Sequence, residues 1–375
     1  MRRGPWPYLV AALVAAACGS PAAAPAKPTA GSAPAPAATV AAAGAPSGAA
    51  TTPPAAAPPE RAVVRVAHIG ATISDSPLYI ADDRGYLAEE GLELDRTVFD
   101  SAARMIPALA ADQVDVGGGA ISAGLFNAVG RGVDLRIVAD KGSMQPGDRW
   151  NSIVVRKELL DSGAVRDWPD LRGRPVGIPS KGTGNEIVFA RGLGTAGLTL
   201  ADVDLRELGL PDIGVGLANG SLDAGLQPEP LLTLGLDRGS FGLWKPQGDV
   251  TPGMQFTVLM YSGQFATQRA DAARRYMVAY VRGLRDYYDA FVAHRTDPDA
   301  LAEFIASYAH LSGPDLVKRM APVRFDPDGR VNGDSIVGDY QYYRDTGQVA
   351  AALDPASIVD HRFTDYAVSR LGAYR

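Results

Sequence analysis

From Val63 onward the chain alternates short apolar runs with longer segments of helical period. Val63–Ile69 alternates β-branched and small residues and predicts a strand. Ser76 and Pro77 then suit the cap and first turn of a helix reaching about Arg84, and Gly85 and Gly91 close that unit. Leu92–Phe99 predicts a second strand, 104–111 a short helix and 114–116 a short buried strand. Gly117-Gly118-Gly119 then leads into a helix over 120–129, followed by a strand over 135–139. The rhythm recurs further on, with strands over 175–178, 203–207 and 223–226. Helices are expected over 185–196 and 213–218, and another opens at Pro228-Glu229-Pro230. In both halves an Asp, Asp115 or Asp223, heads a short apolar run that ends in glycine. Strands alternating with helices in this way predict two similar α/β lobes built on mostly parallel sheets. A last strand, 256–261, precedes helices over 271–294, 298–309, 314–319 and 334–346, which should return to the first lobe. The expected lobes are 62–152 with 257–375 and 153–256. Crossings near Ser152-Val155 and Phe256-Tyr261 would form a two-strand hinge.

The first 60 residues have a different character. Met1-Arg2-Arg3 is a short basic head, Trp6–Ala17 is almost wholly apolar, and Ala15-Ala16-Ala17 precedes Cys18. That apolar run is about 12 residues, against about 20 for a membrane span, so 1–17 has the form of a signal peptide. Cys18 is the single cysteine, which rules out an internal disulfide framework. Its place after small residues resembles a bacterial lipoprotein signal, which implies acylation of Cys18 and anchoring to the outer face of a membrane. The alternative is an ordinary leader with an incidental cysteine. Residues 19–60 are nearly all Ala, Pro, Gly, Ser and Thr, cannot bury a core, and are expected to form a disordered tether.

Composition narrows the function. The formal charge is −6 and basic residues are dispersed among acids, which argues against nucleic-acid binding. His68, His294, His310 and His361 are scattered, with no metal spacing, and no nucleophile–base motif such as G-x-S-x-G occurs. No cofactor or metal is expected, and no reaction.

Four motifs then stand in register: Ser76-Pro77-Leu78-Tyr79-Ile80-Ala81 with Gly85-Tyr86-Leu87 and Glu90-Gly91-Leu92; Val114-Asp115-Val116-Gly117; Leu171-Arg172-Gly173-Arg174-Pro175-Val176-Gly177; and Gly220-Ser221-Leu222-Asp223-Ala224 with Glu229-Pro230. Together they resemble the periplasmic substrate-binding proteins of nitrate/sulfonate/taurine-type ABC importers, including their thiamine-precursor-synthase-like branch. The resemblance implies a bilobal type II periplasmic-binding-protein fold whose lobes close on a ligand. It also implies a permease and an ATPase as partners; the protein itself is expected to be an extracytoplasmic monomer, lipid-anchored through Cys18. An enzyme of the thiamine-precursor-synthase type, or a binding protein that docks to a sensor, are the alternatives.

In open α/β sheets ligands sit beyond the carboxyl ends of strands, near helix N-termini. The candidate contacts are therefore Thr72, Asp75 and Ser76; Gly118, Gly119 and Ser122; Ser143, Met144 and Trp150; Lys181, Thr183, Gly184 and Asn185; and Gln227 and Glu229. Several have a structural alternative. The glycines could serve only tight packing, Ser122 could be a helix-start residue, and Trp150, Tyr79, Phe126 and Trp244 could be core. The Lys181-Gly-Thr-Gly run lacks the spacing of a nucleotide P-loop. Asp75 either caps its helix or meets the ligand. A carboxylate in the cleft would repel an anion and accept from an amine or ring N–H. The expected ligand is therefore a nitrogen-containing or aromatic compound of pyrimidine or flavin type. An alkanesulfonate, taurine or nitrate-type anion held near Lys181 is the alternative.

Overall fold

A computed structural model describes residues 60–375 apart from Ala71. The leader 1–17, Cys18 and the tether as far as residue 59 lie outside the described residues. Ten strands among the described residues form two five-stranded sheets. The first contains β1 (Ala62–Ile69), β2 (Leu92–Phe99), β3 (Val116–Ala120), β4 (Leu135–Ser143) and β10 (Gln255–Ser262), in the order β2-β1-β3-β10-β4. The second contains β5 (Asn151–Arg156), β6 (Pro175–Ile178), β7 (Asp204–Glu207), β8 (Ala224–Pro228) and β9 (Phe241–Pro246), in the order β7-β6-β8-β5-β9.

Each sheet has a parallel core into which one strand is inserted antiparallel, directly after a crossing. β5 lies between β8 and β9, and β10 between β3 and β4. Every residue of β10 is buried, as are the first five of β5, because both strands are flanked on two sides and covered on both faces. The segments anticipated as crossing strands, 152–155 and 256–261, therefore lie inside the sheets. The chain passes between sheets through 144–150 and 247–254. Apolar runs such as Ser152–Val155 and Phe256–Tyr261 gain more from sheet partners on both edges than from spanning a gap.

Two local expectations change in ways that matter for the site. Gly117, Gly118 and Gly119 are strand residues of β3, paired with Met260, Leu259 and Val258. A Cβ on Gly117 would stand 2.7 Å from the Leu109 side chain, and one on Gly119 2.6 Å from Ala102 Cβ, so these glycines admit the preceding helix (Ala102–Ala110). Ser76 is not a helix cap. The turn Ile73–Asp75 runs straight into helix Ser76–Asp83, leaving Ser76 in helical geometry. Strand β9, the short helix Lys157–Asp161 and the C-terminal helix Arg362–Leu371 were not anticipated. The long helix Ala270–Tyr287 buries Tyr276, Tyr280 and Tyr287 and packs on Ser76–Asp83 and Arg362–Leu371, so the late helices do return to the first sheet.

Candidate functional site

The carboxyl ends of both sheets face one cavity. From the first lobe come the loop after β1 (Thr72, Ile73, Ser74), the start of helix Ala102–Ala110 (Ser101, Ala102), Lys141 of β4, and Phe256 and Thr257 of β10. The second lobe gives Asn151, Thr183, Asn185, Leu210 and Glu229, and Trp150 closes the first crossing. The space between these walls, including its opening to solvent, is about 640 Å³. Trp150 and Phe256 meet edge to face, centroids 5.7 Å apart, and form an aromatic wall.

A buried ion pair lies against this wall. Lys141 Nζ is 3.1 Å from Asp75 Oδ1, and each side chain is 3 % exposed. Lys141 also donates to Ser74 Oγ at 2.7 Å, and Thr72 Oγ1 donates to Asp75 Oδ2 at 3.0 Å. A lone buried carboxylate or ammonium would cost several kcal/mol, and pairing offsets that cost. Asp75 is absent from the cavity wall and faces Lys141 and Thr72, so it offers no free carboxylate to a ligand. Gly118 makes room for the pair, since a Cβ there would stand 2.5 Å from Lys141 Cε.

Two further buried acids, Asp140 and Glu229, are also satisfied by protein. Asp140 accepts from Gly142 N (2.7 Å), Gln255 Nε2 (2.6 Å) and Asp326 N (2.6 Å). Burial nevertheless pushes its pKa up to about 7. Glu229 is raised by burial too, and its carboxylate accepts from Thr233 N and Oγ1 and from Ala321 N. Glu229 is thus a wall post that ties the second lobe to residue 321. No group of three His, Cys, Asp or Glu among the described residues is placed to hold a metal.

Thr72, Gly119, Trp150, Thr183, Asn185 and Glu229 line the cavity, whereas the remaining candidates stand behind it or outside it. Ser76 is fully buried with its hydroxyl unpartnered among the described residues. Ser122 accepts from Leu125 N and caps helix Ala123–Gly130. Ser143 accepts the Trp150 indole N–H on its carbonyl, and Met144 is core. Lys181 is exposed and its backbone N–H donates to Glu207. Gly184 N donates to Ile121 O, and Gln227 Nε2 donates to Leu210 O. Lys181 therefore stands outside the cavity, while Thr183 and Asn185 at the helix start beside it line it. Sequence reasoning missed Ile73, Ser74, Ser101, Lys141, Asn151, Phe256 and Thr257. The one available signal was a lysine and an aspartate continuing the apolar run of β4.

The lobes are laced together beside the cavity. Ala123 N donates to Gly182 O (2.8 Å), and Gly184 N to Ile121 O (3.0 Å). Glu186 of helix Gly184–Gly194 is 3 % exposed and accepts from Tyr342 Oη (3.0 Å) and Gln348 Nε2 (2.6 Å) of the late helical region. Arg191 of the same helix lies 3.6 Å from Asp339 of helix Gly333–Asp345.

A family model described as NMT1/THI5 like matches residues 73–290, more than half of the chain. A Brucella abortus (strain 2308) protein described as a binding protein is 23 % identical over 314 residues, covering 81 % of this chain and 91 % of its own. Among solved structures, the alkanesulfonate-binding protein SsuA of Xanthomonas axonopodis pv. citri, bound to MOPS, aligns with TM-score 0.64 at 18 % identity. The alignment covers 80 % of this chain and 99 % of that one. The periplasmic nitrate-binding protein NrtA of Synechocystis PCC 6803 aligns with TM-score 0.63 at 13 % identity, covering 84 % and 90 %.

Proposed function

The chain belongs to the NMT1/THI5-like family, and on that premise we propose that it is an extracytoplasmic solute-binding protein, anchored through Cys18, that holds a small organic molecule between its lobes and passes it to an importer permease and its ATPase. The observation that carries this reading is the cavity itself, walled by strand ends of both sheets and flanked by backbone bonds that join the lobes at 121–123 and 182–184. The likeness to alkanesulfonate- and nitrate-binding proteins and to a Brucella binding protein supports it. The lobes, 62–152 with 257–375 and 153–256, would close by rigid-body motion about the two crossings. A binding role, not catalysis, also fits Lys141, the one lysine on the wall among the described residues. Its amine is engaged by Asp75 and Ser74, and a Schiff-base nucleophile needs a free amine.

The ligand we propose is a flat, nitrogen-containing ring compound. Its support is the Trp150–Phe256 wall and a cation whose charge is already matched by Asp75. An alkanesulfonate- or nitrate-type anion is the second reading. It is favoured by Ser74, Lys141, Ser101 and the start of helix Ala102–Ala110 meeting on one side of the cavity. Native mass spectrometry of whatever copurifies, followed by calorimetry with pyrimidines, flavins and alkanesulfonates, separates the two. Tight alkanesulfonate binding with no ring compound bound would overturn the ring reading.

A further inference from the structure

Two residues that line the cavity each carry a side-chain oxygen with no hydrogen-bond partner among the described residues: Asn151 Oδ1 and Thr257 Oγ1. Asn151 is 1 % exposed and Thr257 7 %. Buried polar groups left unpaired cost stability, so two such groups on residues that line one cavity suggest partners that arrive from outside the chain. Each follows a ring of the aromatic wall: Trp150-Asn151 opens β5, and Phe256-Thr257 lies at the start of β10.

The polarity of these groups can be read from their neighbours. Asn151 Nδ2 donates to Gln247 Oε1 at 2.7 Å, and Gln247 Nε2 lies 3.7 Å from Met254 Sδ. A thioether can only accept. Reversing both amides would set the Gln247 carbonyl against the sulfur, acceptor against acceptor. Asn151 therefore keeps its N–H groups toward Gln247 and leaves a carbonyl oxygen unmet. The threonine hydroxyl can donate or accept. Ser74 completes the set. Its oxygen accepts from Lys141 Nζ at 2.7 Å, and its only other polar partner among the described residues is Thr72 Oγ1 at 3.5 Å, beyond the usual O–H···O range, so its hydrogen is free to donate.

We propose that Asn151 and Thr257 are the specificity-determining residues of the cleft, and that the ligand is a planar ring compound with an N–H directed at Asn151 Oδ1 and a neighbouring polar group at Thr257 Oγ1. The inference rests on the ring-ligand reading above. A sulfonate or nitrate has only acceptors and would meet the Asn151 carbonyl with like polarity.

The test is calorimetry on the full-length protein in detergent with matched probes: 2-pyridone against N-methyl-2-pyridone, uracil against 1,3-dimethyluracil, and ethanesulfonate. The N–H member should bind at least about tenfold more tightly than its methylated partner. The gap should shrink to within about twofold in Asn151→Leu. Thr257→Val should weaken ring binding several-fold without lowering the thermal midpoint of the free protein, because it removes an unpaired hydroxyl. A packing role alone would produce the opposite pattern, lower stability with affinity unchanged. Equal binding of matched partners, or a gap that survives Asn151→Leu, overturns the inference and leaves the ring reading standing. Ethanesulfonate binding without any ring compound overturns both, as does binding of no probe at all. Should Asn151→Leu fail to fold, the wild-type pairs and Thr257→Val decide.

Discussion

The Lys141 ammonium and the Asp75 carboxylate stand 3.1 Å apart with both side chains 3 % exposed, so each charge depends on the other for its place in the fold. Removing one partner leaves the other buried and unmatched. Lys141→Met should therefore lower stability by about 3–5 kcal/mol, and Lys141→Met with Asp75→Asn should recover most of that loss. Urea denaturation of the two variants checks this. Equal losses would show that the charges are not coupled.

Gly118 bears on the same pair from β3. A Cβ there would press on the Lys141 stem at 2.5 Å, and the stem, held at its far end by Asp75 and Ser74, has little freedom to move. Gly118→Ala should cost about 1–3 kcal/mol through overpacking. In a Lys141→Ala background the same change should be nearly neutral.

Glu186 gathers two donors from the late helical region, Tyr342 and Gln348, and accepts on its other oxygen from Gly182 N at 2.8 Å. Glu186→Ala should shift the lobes toward an open arrangement. Small-angle scattering should then give a larger radius of gyration without ligand, with several-fold weaker apparent affinity. An unchanged radius together with unchanged affinity would remove Glu186 from any role in closure.

Asp339 has both carboxylate oxygens unpaired among the described residues save for Arg191 at 3.6 Å, and burial raises its pKa from 3.8 to about 7. The groups facing it are Arg191 across the lobes and Tyr343 on its own helix. The folded chain holds this proton more tightly than the unfolded chain. Its contribution to stability therefore declines as pH rises from about 4 to about 7 and is level above. Asp339→Asn should remove that slope and raise stability at pH 8 by about 1–3 kcal/mol. Denaturation at pH 5 and pH 8 measures both effects. Asp140, raised to about 7 by the same cause, and Glu229, also raised by burial, contribute to the slope that remains.

The anchoring proposal concerns Cys18. In Cys18→Ser the protein should move from the membrane pellet to the soluble fraction. Unaltered partition after this change would exclude thiol-linked lipid as the anchor.

The α/β rhythm was legible because period-2 runs such as Leu92–Phe99 and Pro175–Ile178 coincide with strands. The glycines at 117–119 were not legible as strand. Glycine reads as punctuation, and here its value lies in what neighbouring side chains occupy, which only the fold reveals. β4 was read as ending at Ala139 because Asp140 and Lys141 look like loop residues. They stay in the strand because Gln255, Asp326 and Asp75 reach them from distant parts of the chain. The cavity followed the same rule. Loops after strands were identified from pattern alone, but which side chain on each loop faced inward depended on partners far away in sequence.

The bonds between 121–123 and 182–184 run backbone to backbone, so no ligand group and no single side chain sets their strength. On the proposed reading, in which the lobes must part to release a ligand, a molecule behind them leaves no faster than they part. Chemically different guests, whatever their equilibrium affinities, would then share one ceiling on escape, and residence time would be a property of the chain more than of its cargo.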